Sequence, residues 1–296
     1  MYNKGEILVK NQVMVNKFSV SIQYLVPQRL LSKFVGTIAK CHIEWLKTLL
    51  IKLFIKKYDV DLTMAKKTTI EQYKSFNDFF IRELVEGARP VDKNNCHVIS
   101  PVDALVSQIG QLDRSTLIQA KGMNYDLNSL LAGDTELVYQ FTSGSYVTLY
   151  LSPKDYHRVH MPMTGLLKKT IFVPGKLFSV NPTTAASIPN LFSKNERLIA
   201  VFESDQGDSF AVIMVGAMLV SGINSVWAGK YLSQSVQQKG FSEKRVRLLK
   251  GEELGYFNFG STVIMLFQPN KLCWTEKIKS DSAVLMGQGI GELIDK

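Results

Sequence analysis

A helical period governs the apolar and polar positions near the N-terminus. Within residues 42–57 the polar residues Glu44, Thr48, Lys52 and Lys56 recur every four positions, with Lys47 beside them, and large apolar side chains fill most of the other positions. This pattern predicts an amphipathic helix with a narrow polar stripe. Such a helix either packs against the core of its own protein or lies in a membrane interface, where lysines contact lipid phosphates. The pattern leaves both alternatives open, and the excess of lysine favours the membrane.

Two further helices are predicted on either side of this one. Residues 28–40 follow Pro27, which is a residue tolerated at helix starts. Residues 70–90 predict another helix, because Gly87 and Pro90 mark its end. This last helix is expected to join the basic N-terminal segment to the rest of the chain.

Beyond Val91 the pattern changes to short apolar runs separated by Gly, Pro, Asn and Asp, which is typical of β-strands. Few helical turns are expected there, chiefly at 127–132 and 182–187. We therefore divide the chain into a helical segment, residues 1–69, and a strand-rich domain, residues 70–296.

Charge adds a reason to place the first segment near lipid. The chain carries a formal charge of +9. In residues 1–69, eleven lysines and one arginine against four carboxylates leave +8. Aliphatic residues lie between these lysines, so an anionic membrane surface is favoured over nucleic acid. No apolar run reaches the length of a transmembrane helix, and the N-terminus lacks the pattern of a secretory signal. We therefore expect a peripheral protein on the cytoplasmic side of the cell membrane.

Few residues qualify for chemistry on local grounds. Two histidines, His157 and His160, lie three apart in a predicted loop, and Asp103 follows a proline before an apolar run. Each has an ordinary structural interpretation, such as a surface histidine or an Asx turn. Ser261 and Ser145 each follow a glycine, and nothing local distinguishes them. An aspartate, a histidine and a serine can form a proton relay, but only if the fold brings them together.

Several catalytic classes lack their sequence motifs. There is no Gly-x-Ser-x-Gly around Ser261, no Walker lysine loop and no Gly-x-Gly-x-x-Gly. The three cysteines are widely spaced and odd in number, which disfavours structural zinc and a disulfide framework. The residues alone thus indicate a membrane-attached, strand-rich protein with a possible serine centre.

Six segments, in order and over nearly the whole chain, resemble the bacterial phosphatidylserine decarboxylases. They are FNDFFIRELVEGARP (76–90), SPVDA (100–104), YHRVHMPMTG (156–165), LFSVNP (177–182), NLFSKNER (190–197) and FGSTVIMLF (259–267). The chain departs from the family pattern at Phe259, where leucine is usual, and at Met123, where histidine is frequent.

The resemblance implies a fold, a cleavage of the precursor into two chains, and an oligomeric state. The fold would be α+β, with a mainly antiparallel β catalytic domain behind N-terminal amphipathic, membrane-associating helices. The precursor would cut itself between Gly260 and Ser261 into a β chain, residues 1–260, and an α chain, residues 261–296. A homodimer is also expected.

The resemblance further implies the site and the reaction. Asp103, His160 and Ser261 correspond to the self-cleavage relay, and His157 to the residue implicated in decarboxylation. Ser261 would become a covalent pyruvoyl group that forms a Schiff base with phosphatidylserine and yields phosphatidylethanolamine. Neither a metal nor pyridoxal phosphate is expected. The alternative hypothesis is a membrane-associated serine hydrolase that acts on lipid through Ser261, His160 and Asp103.

Overall fold

Side-chain caps define where most of the short helices begin. A computed structural model describes residues 23–24, 26–120, 122–217, 222–241, 246–258 and 261–294. Within them Ser75, Asp126, Asp134 and Asn181 each accept a hydrogen bond from the backbone N–H three residues later. The helices are α1 (Gln28–Ala39), α2 (Glu44–Tyr58), α3 (Phe76–Phe80), α4 (Leu127–Leu130), α5 (Thr135–Phe141), α6 (Pro182–Ala185) and α7 (Leu191–Lys194).

The helices predicted over 28–40, 42–57, 127–132 and 182–187 are confirmed, but the one predicted over 70–90 is wrong in extent. That segment contains a single 3-10 turn, Ile70–Gln72, and the short α3. Tyr73 adopts an extended conformation after the 3-10 turn, and Ser75 then caps a new helix. Residues 81–90 continue without helix, because Leu84 forms a β-bridge with Ala65.

Strands account for most of the remaining chain. They are β1 (His97–Ile99), β2 (Ala104–Gln111), β3 (Thr116–Ala120), β4 (Met123–Asp126), β5 (Ser145–Leu151), β6 (Arg158–His160), β7 (Gly165–Val173), β8 (Arg197–Glu203), β9 (Ser209–Val215), β10 (Ile223–Ser225), β11 (Gly229–Lys230), β12 (Gln237–Gly240), β13 (Arg247–Leu248), β14 (Glu253–Phe257), β15 (Ser261–Phe267), β16 (Leu272–Trp274), β17 (Ala283–Val284) and β18 (Gly289–Leu293).

One large antiparallel sheet forms the centre of the domain. Its main strand order is β12-β7-β8-β9-β15-β5-β2-β17, and β13 also pairs with β7. Both faces of this sheet are buried. Along β15, Val263, Met265 and Phe267 belong to one apolar cluster, whereas Ile264 and Leu266 belong to another. The expected α+β fold with mainly antiparallel strands is confirmed.

A second sheet leads directly into the central strand of the first. Its order is β11-β10-β14-β6, and β6 pairs with β14. The chain passes from the end of β14 at Phe257 to the start of β15 at Ser261 through only three residues. This short connection therefore ties the sheet that carries His160 to the strand that begins with Ser261.

A third apolar cluster joins the N-terminal helices to α3. Ile51 on α2 is fully buried with Phe79 and Phe80. Lys47, predicted to lie in the polar stripe, is only 2% exposed and donates to the Tyr73 carbonyl oxygen at 2.8 Å. One side of α2 is thus packed against the protein. The proposed division at residue 69 stays a prediction, since this cluster includes residues from both sides of it.

The other side of α2 is apolar and exposed. Trp45 is 68% exposed, Leu49 47% and Leu53 56%. These residues are four apart, so they form a stripe on one helix face, which we call the outer stripe of α2. Among the described residues, no helix has the length and apolar character required to cross a bilayer.

Candidate active site

Strand register aligns the ends of three neighbouring strands of the large sheet. Leu105 on β2 pairs with Tyr150 on β5, which in turn pairs with Thr262 on β15. Asp103 and Ser261 therefore lie at the same edge, on either side of the end of β5. With neighbouring strands about 4.8 Å apart, their backbones are separated by roughly 10 Å. The fold thus brings together two residues that are far apart in the sequence.

Ser261 is a buried serine whose hydroxyl has no partner. Its side chain is fully buried, and its Oγ forms no hydrogen bond with the described residues. Ser145, at the opposite end of the paired strands, accepts from the Gln111 amide at 2.9 Å and donates to the Leu272 carbonyl at 3.2 Å. An unpaired buried hydroxyl is unfavourable unless it has another role. The structure therefore separates the two Gly-Ser serines, which the sequence left equivalent. Gly260 and Phe259 lie outside the described residues.

The hydrogen bonds of His160 fix which ring nitrogen is basic. Nδ1 lies 2.8 Å from the carbonyl oxygen of Gly251, and Nε2 lies 3.0 Å from the hydroxyl of Tyr156. Since a carbonyl can only accept, Nδ1 carries the proton and Nε2 is the free base that accepts from Tyr156. Burial lowers the pKa of His160, so its ring is neutral at neutral pH. His160 is therefore prepared to take a proton at Nε2.

Asp103 is held by a different set of partners. Arg89 donates to both of its oxygens, at 2.8 Å from Nε and 2.6 Å from Nη2, and the backbone N–H of Met286 donates at 2.9 Å. The backbone N–H of His160 donates to the carbonyl of Pro101, two residues before Asp103. Among the described residues, Asp103 and His160 form no direct hydrogen bond. Burial lowers the pKa of His160, and the charge of Asp103 acts in the opposite direction.

His157 is enclosed beside the same strand end. It is fully buried, and its ring stacks on Phe80 with centroids 4.1 Å apart. Nε2 donates a long hydrogen bond of 3.4 Å to the carbonyl of Pro153, and Nδ1 is left as an acceptor with no partner among the residues that the structure describes. Burial, with the nearby charge of Arg82, lowers the pKa of His157 to about 3. The backbone N–H of Phe257, near the end of β14, donates to the carbonyl of His157 at 3.2 Å.

Sequence reasoning did not single out Tyr156, Gly251, Arg89 or Arg82 as site residues. The two arginines and the tyrosine lie inside segments that resemble the family, so position in those segments was the available signal. Gly251 takes part through its backbone carbonyl, so its role cannot be recognised from its residue type.

Comparison with known proteins covers nearly the whole chain. The family described as phosphatidylserine decarboxylase matches residues 76–292, and a second family, described as PSD, matches residues 18–59. A phosphatidylserine decarboxylase proenzyme of Ectopseudomonas mendocina is 44% identical over 283 residues, which cover 94% of this chain and 99% of the relative. A proenzyme of the same name from Alcanivorax borkumensis is 45% identical over 280 residues, 93% of this chain and 96% of the relative. The chain belongs to the phosphatidylserine decarboxylase family.

Proposed function

We propose that this chain converts phosphatidylserine to phosphatidylethanolamine and carbon dioxide through a pyruvoyl group made from its own Ser261. The observation that carries the proposal is the buried hydroxyl of Ser261, which has no partner among the described residues. It lies at the start of β15, and three residues separate it from the sheet that bears His160. The proenzymes named among the relatives support the same activity.

Self-cleavage would begin with proton transfer from Ser261 to Nε2 of His160. Tyr156 first releases Nε2, and the Gly251 carbonyl keeps Nδ1 protonated and the ring in place. The serine oxygen then attacks the Gly260 carbonyl, and the proton returns to the departing Ser261 nitrogen, which gives an ester. Asp103 would assist through its charge, because its effect on His160 favours the protonated ring.

The ester is then resolved without any outside oxidant. Loss of the Ser261 α-proton expels the Gly260 carboxylate and leaves a dehydroalanine, which water hydrolyses to a pyruvoyl group and ammonia. The buried hydroxyl of Ser261, which has no partner among the described residues, fits this fate, because its oxygen leaves with the Gly260 carboxylate. The pyruvoyl carbonyl supplies an electrophile for the substrate amine and a sink for the electrons released with carbon dioxide.

His157 would move the proton that decarboxylation requires. Its unpartnered Nδ1 is a base that can accept the extra proton of the substrate ammonium, which makes the amine nucleophilic. After carbon dioxide leaves, the same atom returns that proton to the substrate α-carbon. Stacking on Phe80 keeps the ring oriented for both transfers.

A lipid-directed serine hydrolase is the competing function for the same residues. A hydrolase serine has to meet its substrate ester directly, whereas Ser261 is fully buried on a central strand. Burial suits a serine that attacks its own chain. The two functions also differ in product, since a hydrolase releases fatty acid or a free headgroup.

The assay that separates them follows carbon dioxide from phosphatidylserine labelled in the carboxyl carbon. We expect the purified wild-type chain to release the label as carbon dioxide and to convert the lipid to phosphatidylethanolamine. Formation of lysophospholipid or free serine without carbon dioxide would instead establish the hydrolase.

Membrane attachment would use the outer stripe of α2. Trp45, Leu49 and Leu53 are exposed beside Lys52 and Lys56, which suits an apolar face in the acyl boundary with lysines at the phosphates. Holding the enzyme at the surface spares the substrate from being drawn into water, at about 0.8 kcal/mol per exposed methylene.

Replacing Trp45, Leu49 and Leu53 together by serine should weaken binding to anionic vesicles at least about 10²-fold, because three large apolar contacts are lost. Self-cleavage should be retained, since these side chains face outward. Vesicle sedimentation measures the binding, and Tyr139→Ser with Leu232→Ser, both highly exposed on other parts of the chain, is the matched control. Unchanged sedimentation of the triple variant would refute this attachment.

A further inference from the structure

Arg82 is a buried arginine with an incomplete set of hydrogen bonds. It is 5% exposed, and its Nη2 donates to the carbonyls of Lys154 at 2.6 Å and Asp155 at 3.2 Å. Its Nε and Nη1 are shielded from solvent and have no partner within the part of the chain that the structure describes. Arg197, a comparably buried arginine, donates from all three nitrogens to backbone carbonyls. Arg82 therefore has unused donors that an ordinary structural arginine does not have.

The neighbouring carboxylates do not supply the missing partners. Asp103 is bound by Arg89, and the Asp155 carboxylate accepts from the backbone N–H of Ser152 at 2.7 Å. Among the described residues, Arg82 forms no ion pair with either. Both carboxylates favour its charge from a distance, while Arg89 opposes it. A buried guanidinium with open donors in such a setting is suited to an anionic oxygen that arrives with a ligand.

Arg82 lies next to the residue assigned to decarboxylation. Its charge is the second largest cause, after burial, of the low pKa of His157. The carbonyls it binds belong to the loop that leads from β5 to His157. That loop follows Leu151, which pairs with Ser261. Arg82 and His157 thus both bind carbonyls of the loop that follows the strand partner of Ser261.

We propose that Arg82 binds the phosphodiester of the substrate headgroup through Nε and Nη1 and so positions the amine at residue 261. This rests on the proposed function. The headgroup carries two anionic groups, a phosphodiester and a carboxylate. Holding the carboxylate would stabilise the substrate relative to the transition state in which its charge is lost, and would oppose the reaction. The phosphodiester keeps its charge throughout, so binding it favours catalysis without that penalty.

Access to Arg82 would come with self-cleavage. Strand β14 is joined to His157 through the Phe257 hydrogen bond, and it ends just before the cut. Cutting between Gly260 and Ser261 would release this strand end from β15. The phosphodiester would then compensate the charge of Arg82, which allows His157 to hold a proton more readily.

The test compares Arg82→Gln and Arg82→Lys with wild type, with Arg247→Gln as a control that removes an exposed arginine paired with Asp205. Decarboxylation is measured in detergent micelles together with inhibition by glycerophosphoserine and glycerophosphoethanolamine. The second compound has the phosphodiester but lacks the carboxylate. Fragment formation and thermal unfolding report cleavage and folding of each variant.

We expect Arg82→Gln to cleave itself and to lose about 10- to 100-fold in kcat/KM, mainly through KM. Inhibition by both compounds should weaken by the same factor. Arg82→Lys keeps the positive charge but lacks the planar guanidinium, so its losses should lie between those of wild type and Arg82→Gln. The control should match wild type. If Arg82→Gln does not fold, the lysine variant provides the comparison.

Three results would overturn the proposal. They are unchanged inhibition by both compounds, weakened inhibition by glycerophosphoserine alone, and a folded Arg82→Gln chain that stays uncut. The second would assign the arginine to the carboxylate, and the third to self-cleavage. Wild-type protein without decarboxylation would reject the proposed function instead, so the two failures are distinguishable.

Discussion

Replacing His157 with asparagine is expected to leave self-cleavage intact and to lower decarboxylation by about 10²- to 10⁴-fold, the usual effect of losing a general acid or base. The reason is that the two histidines are assigned to different steps. His160 has the basic nitrogen assigned to the cleavage step, whereas the unpartnered Nδ1 of His157 is assigned to the substrate proton. Mass analysis of the fragments and carbon dioxide release from labelled lipid measure the two activities separately.

Phe80→Leu is the matched control for this experiment. It removes the ring that stacks on His157 but keeps the histidine, so decarboxylation should fall much less than in His157→Asn. If both variants lose activity equally, His157 acts only by packing. If His157→Asn also fails to cut itself while remaining folded, the assignment of separate roles is wrong.

Replacing His160 with glutamine is expected to slow self-cleavage at least about 10³-fold, because Ser261 loses the base that accepts its proton. The rate is measured from the time course of fragment formation after cell-free synthesis. His97→Gln, which removes a partly exposed histidine paired with Asp92, should cleave at the wild-type rate. A His160→Gln chain that cuts itself at the normal rate would remove His160 from the reaction.

The pH dependence of the same reaction provides an independent check. His160 acts as a base only when neutral, and burial lowers its pKa from the ordinary value of 6.5. As pH falls from about 8, the cleavage rate should therefore drop to half of its plateau only below pH 6.5. A rate already half lost above pH 6.5 would contradict the neutral, Nδ1-protonated ring derived from the Gly251 contact.

Periodicity predicted most local elements because their cause is local. Helix α2 and the strands formed by the short apolar runs follow from side-chain spacing, and these elements are present. Lys47 shows the limit of this reasoning. It belongs to the stripe by spacing, yet it is buried because its ammonium group reaches the Tyr73 carbonyl, 26 positions away. The choice between a core-facing and a lipid-facing helix was also too simple, since one side of α2 is packed and the other is exposed.

The candidate site depended on contacts that spacing cannot predict. Resemblance to the family selected Ser261 over Ser145, and the hydrogen bonds of Ser145 provide the physical distinction. The orientation of His160 comes from a backbone carbonyl 91 positions away, and such a contact cannot be predicted from residue types. The roles of Asp103, His157, His160 and Ser261 stay predictions, as do the homodimer and the cytoplasmic side of the membrane.

Every step proposed for this chain depends on self-cleavage between Gly260 and Ser261 and on conversion of that serine into a pyruvoyl group. Intact-mass spectrometry of purified wild type beside Ser261→Ala tests it most directly. Scaling the 33.3 kDa chain by length predicts wild-type fragments of about 29 and 4 kDa, and a single chain for the variant. The small fragment should be lighter than its serine-started form by one ammonia. Active wild-type protein that runs as one uncut chain would contradict the account.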